Sequence, residues 1–195
     1  MTNAAANAVT SASARTALWF DLPTEAGRFT LSPVKPDRDL PLIGRWMNDP
    51  DVARYWELAG PLERTNEHVR AQLESAHAQP LLARLAGRAI GYFELYQAAE
   101  DRLAEYYAAE PDDVGVHLLI GEEDCRGIGL GSVLLRALAD AVQRERPRRV
   151  VAEPDERNVA SVRAFTAAGF VAADPIDLPE KRATLMIRPI PGEGT

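Results

Sequence analysis

The chain has 195 residues, of which 46% are hydrophobic and 26% charged, and this suits one soluble globular domain with a sizeable core. A formal net charge of −7 argues against a nucleic-acid partner, for which a basic face is expected, and is better matched to a cationic small molecule. A single cysteine, Cys125, excludes an internal disulfide framework and fits a reducing cytoplasm; no apolar run reaches membrane-spanning length.

Residues 1–15 (MTNAAANAVTSASAR) are small and polar, lack the basic start and apolar stretch of a secretory signal, and are expected to be a disordered tail. Residues 16–190 are expected to form one domain, with 191–195 as a second tail. Ala17 to Asp21 and Arg28 to Val34 read as a hairpin joined by PTEAG. Asp37 to Met47 carries Leu40, Leu42, Ile43 and Trp46 on one side of a helix, which Asn48-Asp49-Pro50 breaks. Asp51 to Leu58 reads as a short helix ended by Gly60-Pro61. Thr65, with Glu67 in the first turn, reads as the N-cap of a helix to about His77. Strands Leu81 to Leu85 and Ala89 to Ala98 flank a tight Ala-Gly-Arg turn, and the polar AEDRLAEYYAAEPDD follows as a short helix and loop.

Val114 to Ile120 is an apolar strand interrupted by one imidazole, His117. Arg126 to Gly131 (RGIGLG) then precedes a helix with Val133, Leu134, Leu135, Leu138 and Val142 on one side, terminated by Pro147. Arg149 to Ala152 is a strand, Asn158 to Ala168 a helix stopped by Gly169, and Lys181 to Ile190 a last strand. The result is a mixed α/β single domain with its ligand loop at the C-terminal end of a strand. The order strand, glycine loop, helix N-terminus makes an anion site: first-turn N–H groups lack intrahelical acceptors, and glycines admit a diphosphate close to the backbone. A dinucleotide fold would need an acidic residue about 20 residues on; Glu145 comes too early and Glu153 slightly late. A P-loop is excluded by the missing Gly-Lys-Ser/Thr.

What remains resembles the acetyl-coenzyme A loop of the GNAT acyltransferases, Arg/Gln-x-x-Gly-x-Gly/Ala, filled by Arg126, Gly129 and Gly131. RWMNDPDVARYW, GYFELYQAAEDRLAEYY, VGVHLLIG, RGIGLG and AEPDERNVASVRAFTAAGF together are similar to its hydroxamate-siderophore branch, from Arg28 to Arg188. That branch acylates the N-hydroxylated side-chain nitrogen of lysine, ornithine or cadaverine. The resemblance implies a central, mostly antiparallel sheet, splayed at the acyl-CoA site and flanked by helices. It implies acyl-coenzyme A as co-substrate (acetyl or succinyl), no metal, and His117 and Asp155 as the catalytic pair. It assigns Leu118, Leu119 and Ile120 to the acyl end of the cofactor and Arg126, Gly127, Ile128, Gly129, Leu130, Gly131 and Ser132 to its diphosphate. Asn158 and Phe165 go to its arm, and Asn48, Trp56, Glu94 and Tyr96 to the acceptor pocket, Glu94 meeting a cationic end. The sequence departs from the branch at Gln97 and Arg45, where Trp and His are common. Many other GNAT enzymes have a tyrosine acid where Phe165 stands, so solvent is left to protonate the thiolate.

Each residue has a plainer reading. His117 could be a hydrogen-bonded core histidine, Asp155 a turn residue or helix anchor, Asn158 only an N-cap, and Trp46 a core aromatic. His68 and His77 read as surface, and Arg144 to Arg149 as a solvated helix end. A nucleophilic role for Cys125 is outside the GNAT pattern, and the histidines and cysteine lack metal-ligand spacing. The expected function is acyl-CoA-dependent N-acylation in hydroxamate siderophore assembly, in a ternary complex in the cytoplasm. The partners are small molecules, without nucleic acid or membrane, and a homodimer stays open. The rivals are an aminoglycoside N-acetyltransferase and a non-catalytic acyl-CoA-binding module.

Overall fold

The computed structural model describes residues 19–146 and 148–192. The expected N-terminal tail, Ala17, the stop at Pro147 and the last three residues lie outside them. Among the described residues eight strands form one sheet, β1 (Phe20–Thr24), β2 (Gly27–Pro33), β3 (Ala78–Leu85), β4 (Arg88–Gln97), β5 (Val114–Ile120), β6 (Val150–Ala152), β7 (Val171–Asp177) and β8 (Arg182–Arg188). Their order is β1-β2-β3-β4-β5-β6-β8-β7, antiparallel throughout except for the parallel β5–β6 pair. The helices are α1 (Pro36–Met47), α2 (Pro50–Trp56), α3 (Leu62–Glu74), α4 (Leu130–Glu145) and α5 (Val159–Ala167).

Period-two alternation divides the apolar side chains between the two faces. Leu81, Ala83, Phe93, Leu95 and Val116 point to one face, where Leu134, Leu135 and Leu138 of α4 and Phe165 of α5 cover them. Leu82, Tyr92 and Leu119 point to the other, beneath Ile43, Trp46 and Met47 of α1, Val52 of α2 and Val69 of α3. The sheet is thus the middle of three layers.

Three elements depart from the sequence reading. The first hairpin is shifted: β1 starts at Phe20, and the turn is closed by Thr24 Oγ1 donating to Gly27 O at 2.6 Å. Helix α3 begins at Leu62, directly after Pro61, so Thr65 is not a cap. It lies inside the helix, fully buried, with its Oγ1 unpartnered, because Thr65 and Val69, four residues apart, face the interior. Strand β7 (VAADPID) was not anticipated. It is an exposed edge with Pro175 at a register shift, and it owes its pairing to β8 rather than to any apolar alternation of its own. The β3–β4 turn is as expected, with positive φ at Ala86 (48°) and Gly87 (86°).

The feature that positions the site is where β5 and β6 part. They pair only at Val114↔Val150 and Gly115↔Val151, while β5 runs on to Ile120. Val114 N–H donates to Arg149 O at 3.1 Å, on the β6 side. By strand alternation the backbone groups of Val116, Leu118 and Ile120 face the same side, into an opening with no strand across it.

Candidate active site

Cross-strand register builds the floor of this opening. His117 stands opposite Glu94, and Tyr96 opposite Gly115, on one face of β4 and β5. Gly115 is required there, because a Cβ would lie 2.0 Å from the Tyr96 ring. The ring instead lies beside His117, with 4.8 Å between centroids. Glu153, the residue after β6, reaches back across the opening. His117 Nε2 meets Glu153 Oε1 at 2.5 Å and His117 Nδ1 meets Glu94 Oε2 at 3.0 Å. Tyr96 Oη donates to Glu153 Oε2 at 2.9 Å, and Lys181 Nζ from the β7–β8 turn is 3.6 Å from Glu153 Oε1. Glu94 Oε1 also accepts from Tyr92 Oη at 2.8 Å and lies 2.6 Å from His68 Nε2. Both imidazoles are thus tied to buried carboxylates.

Charge decides the protonation states. Burial by itself would lower the pKa of His117, but the Glu153 carboxylate and then Glu94 outweigh it and push it up to about 10. Burial would raise the pKa of Glu94 and Glu153, yet the imidazoles hold both carboxyls well below their usual range. His117 is therefore an imidazolium between two carboxylates at neutral pH. Above the floor lies a cleft of about 360 Å³, walled by Trp56 and Leu58, by Leu118, by 152–155 and by Phe165 of α5. Trp56 meets His117 and His68 edge-on, with centroids 6.4 Å apart in each case.

The glycine loop stands beyond the end of β5. Gly127 and Gly129 have φ of 71° and 83°, and a Cβ at either would meet nothing within 4 Å, so the loop presents bare backbone. Gly129 caps α4 without a side-chain hydrogen bond, leaving the first-turn N–H groups for a ligand. Gly131 lies where α4 meets α5, and a Cβ there would make ordinary contact at 3.7 Å from Ala164 Cβ.

Residues 35–178 match the acetyltransferase (GNAT) domain family. The chain belongs to that family. It is 35% identical over 170 residues to lysine N-acyltransferase MbtK of Mycobacterium sp. (strain MCS), covering 86% of this chain and 70% of that protein. It is 29% identical over 168 residues to N-hydroxyputrescine acetyltransferase of Acinetobacter baumannii, covering 86% of this chain and 80% of that one. An uncharacterized protein from Bacillus halodurans superposes with a TM-score of 0.82 at 31% identity, over 87% of this chain and 89% of that chain. This GNAT domain is an acyl-CoA N-acyltransferase of the hydroxamate-siderophore branch, with the fold that the resemblance implied.

Several expected site residues sit differently from the sequence reading. Asp155 lines the cleft, but its carboxylate accepts from Arg157 N–H at 2.8 Å and from the Arg157 guanidinium, not from His117. That guanidinium also holds the Asp155 carboxyl below its usual range. The carboxylate on His117 Nε2 belongs to Glu153, which sequence reading met only as a misplaced dinucleotide-fold acid. Glu94 lines the cleft as expected, but it is 2% exposed and its carboxylate is engaged by His68, Tyr92 and His117. Tyr96 lies beneath the cleft on Glu153 rather than in its wall. Asn48 staples the end of α1 to Gly60, donating to Gly44 O and Gly60 O and accepting from Gly60 N–H, and stands outside the cleft. The guanidinium of Arg126 donates to Ile120 O, Gly121 O and Asp49 Oδ2, so it clamps the loop to α2 instead of facing a diphosphate.

Leu119 points its side chain into the α1–α3 layer, and its backbone faces β4, so of Leu118 to Ile120 only Leu118 and Ile120 address the opening. Asn158 is both the α5 N-cap, accepting from Ser161 N–H at 3.1 Å, and a cleft residue. Trp46 is core, with its Nε1 donating to Glu122. His68, expected at the surface, lines the cleft. Arg149, expected to be solvated, is ion-paired with the buried Asp113 at 2.6 Å.

Proposed function

We propose that this enzyme transfers an acyl group, acetyl or succinyl, from acyl-CoA to the N-hydroxylated side-chain nitrogen of an amino acid or diamine. The product is a hydroxamate for siderophore assembly, and transfer is direct within a ternary complex. One observation carries the reading: β5 runs on past its short pairing with β6 toward the bare glycine loop, and the cleft at this parting is floored by His117 and lined by Asn158 and Phe165. An acyl-CoA gripped at its diphosphate by the amides of 127–132 can run its arm past Asn158 and Phe165 toward Leu118. The N–H groups of Leu118 and Ile120 then stand ready for the oxyanion.

An N-hydroxylated amine is mostly neutral near pH 7, so positioning and removal of one proton suffice. Its nitrogen attacks the thioester carbon, the C–S bond breaks, and the departing thiolate takes a proton from solvent. His117, with both ring nitrogens engaged, lends its positive charge beside the acyl group. We assign the nitrogen's proton to Asp155. Glu153 is held on both oxygens by buried groups, whereas Asp155 is held by Arg157, whose side chain is 70% exposed and able to swing away. The acceptor's cationic end meets the exposed carboxylates Glu57 and Asp101 at the rim, and Trp56 packs its methylene chain. Acyl-CoA supply puts the reaction in the cytoplasm.

The test is a panel of acetyl-, succinyl- and malonyl-CoA against N-hydroxylysine, N-hydroxyornithine, N-hydroxycadaverine and kanamycin, followed by free-thiol release. Turnover with an N-hydroxylated acceptor is expected. Thiol release with kanamycin alone would make this an aminoglycoside N-acetyltransferase, and binding without release would leave an acyl-CoA-binding module.

A further inference from the structure

One imidazole of the cleft has no part in the reaction as written. His68 projects from α3 with 24% of its side chain exposed, and its Nε2 lies 2.6 Å from Glu94 Oε1. Glu94 Oε2 in turn lies 3.0 Å from Nδ1 of His117. We infer that His68 is a positioning residue for His117, acting through the buried carboxylate of Glu94. The inference rests on the reading of His117 as the working imidazole.

The argument starts from Glu94, whose side chain is 3% exposed. A carboxylate that far from water needs donors on both oxygens and turns toward whichever donors remain when one is lost. Tyr92 Oη and His68 Nε2 together hold Oε1, and this fixes the plane in which Oε2 is offered to His117 Nδ1. Without His68 the carboxylate keeps only the tyrosine on that side and can rotate, and Nδ1 loses the fixed acceptor that holds its proton. Helix geometry supports the assignment, because His68 and Gln72, four residues apart, both face the cleft while Val69 faces the core. His68 also meets Trp56 edge-on, and Trp56 meets His117 in the same way, so one wall spans both rings.

The titratable groups around His117 come from every element packed on it. Strand β4 supplies Glu94, Tyr92 and Tyr96, α3 supplies His68, and Glu153 beyond β6 is backed by Lys181. Helix α2 adds only the ring of Trp56 to this contact. Removing the donor behind Glu94 therefore weakens one of the two anionic contacts of His117.

Two substitutions separate the role of donor from that of wall. His68→Phe keeps a ring against Trp56 but removes the donor; His68→Gln supplies an amide N–H within reach of Oε1. With whichever acceptor the enzyme turns over, His68→Phe is expected to lower kcat by about tenfold or more, in line with lost outer-shell partners. The KM for acyl-CoA should stay unchanged, the alkaline limb of the kcat–pH profile should move to lower pH, and His68→Gln should recover both. An unchanged His68→Phe profile, or a loss that Gln does not recover, overturns the inference. Nitrogen-15 histidine NMR on the wild-type protein without substrate gives a readout that needs neither folded variants nor a known acceptor. A downfield, slowly exchanging proton on His68 Nε2 is expected, and its absence overturns the inference. Failure of the acceptor panel would sink the proposed reaction while leaving this signal in place.

Discussion

At His117 burial and charge pull in opposite directions, and charge wins. The side chain alone would lose its proton on burial, but Glu153 at 2.5 Å and Glu94 at 3.0 Å hold its pKa at about 10, above the ordinary 6.5. A folded-state pKa raised in this way stabilises the fold fully below the unfolded value, and that contribution is lost as pH rises from about 6.5 through about 10. Glu153→Gln removes the larger of the two anionic contacts. Its melting temperature should therefore fall less steeply than the wild type's over that window, although it starts lower at neutral pH. Parallel melting curves for the two proteins across the window would disprove the ion-pair account. His117 itself was legible in the sequence, as the single imidazole in an apolar strand. Its partners were not, since Glu94 and Glu153 reach it from two other parts of the chain, and His68 stands behind Glu94 from a third. Asp155 drew attention for its place after a strand, yet its nearest cation, Arg157, is only two residues away and engages it first.

Elements were readable where local pattern decided them. Strand β5 runs over the residues its apolar run predicts, and α5 carries its Asn158 cap and Gly169 stop. Helix α3 and strand β7 were misjudged for opposite reasons. In α3 a polar-looking threonine is drawn into the core by its position on the buried stripe. In β7 an exposed, proline-bearing segment is recruited by its neighbour. The working element of the site is the β4–β5 pair, and its tolerance is set by Gly115. Gly115→Ala would force the Tyr96 ring from its place, since the added Cβ would stand 2.0 Å from it. Overpacking of this kind costs about 1–3 kcal/mol. Urea unfolding should register that loss, and kcat should fall because Tyr96 no longer donates to Glu153. A variant with wild-type stability and turnover would show that the ring can relocate freely.

Over the whole molecule, a net charge of −7 and the rim carboxylates Glu57 and Asp101 support the proposal of a cationic acceptor. Exposed charges are screened within about 10 Å at 0.1 M salt. The KM of a cationic N-hydroxylated acceptor should therefore rise several-fold from low to physiological ionic strength, and Glu57→Gln should flatten that dependence while leaving the KM for acyl-CoA alone. A salt-independent KM would remove the rim from the argument. The chain's own sequence determined the family, the element order apart from β7, the glycine loop and the presence of one imidazole beside it, because each is written in contiguous residues whose local physics acts over a few positions. Only the tertiary structure decided which carboxylates hold that imidazole, which cleft-side residues are clamps, and where the sheet opens. The carboxylate contacts of His117 and the Arg126–Asp49 clamp join segments 23 to 77 residues apart, and the surroundings, not the spacing, set their charge.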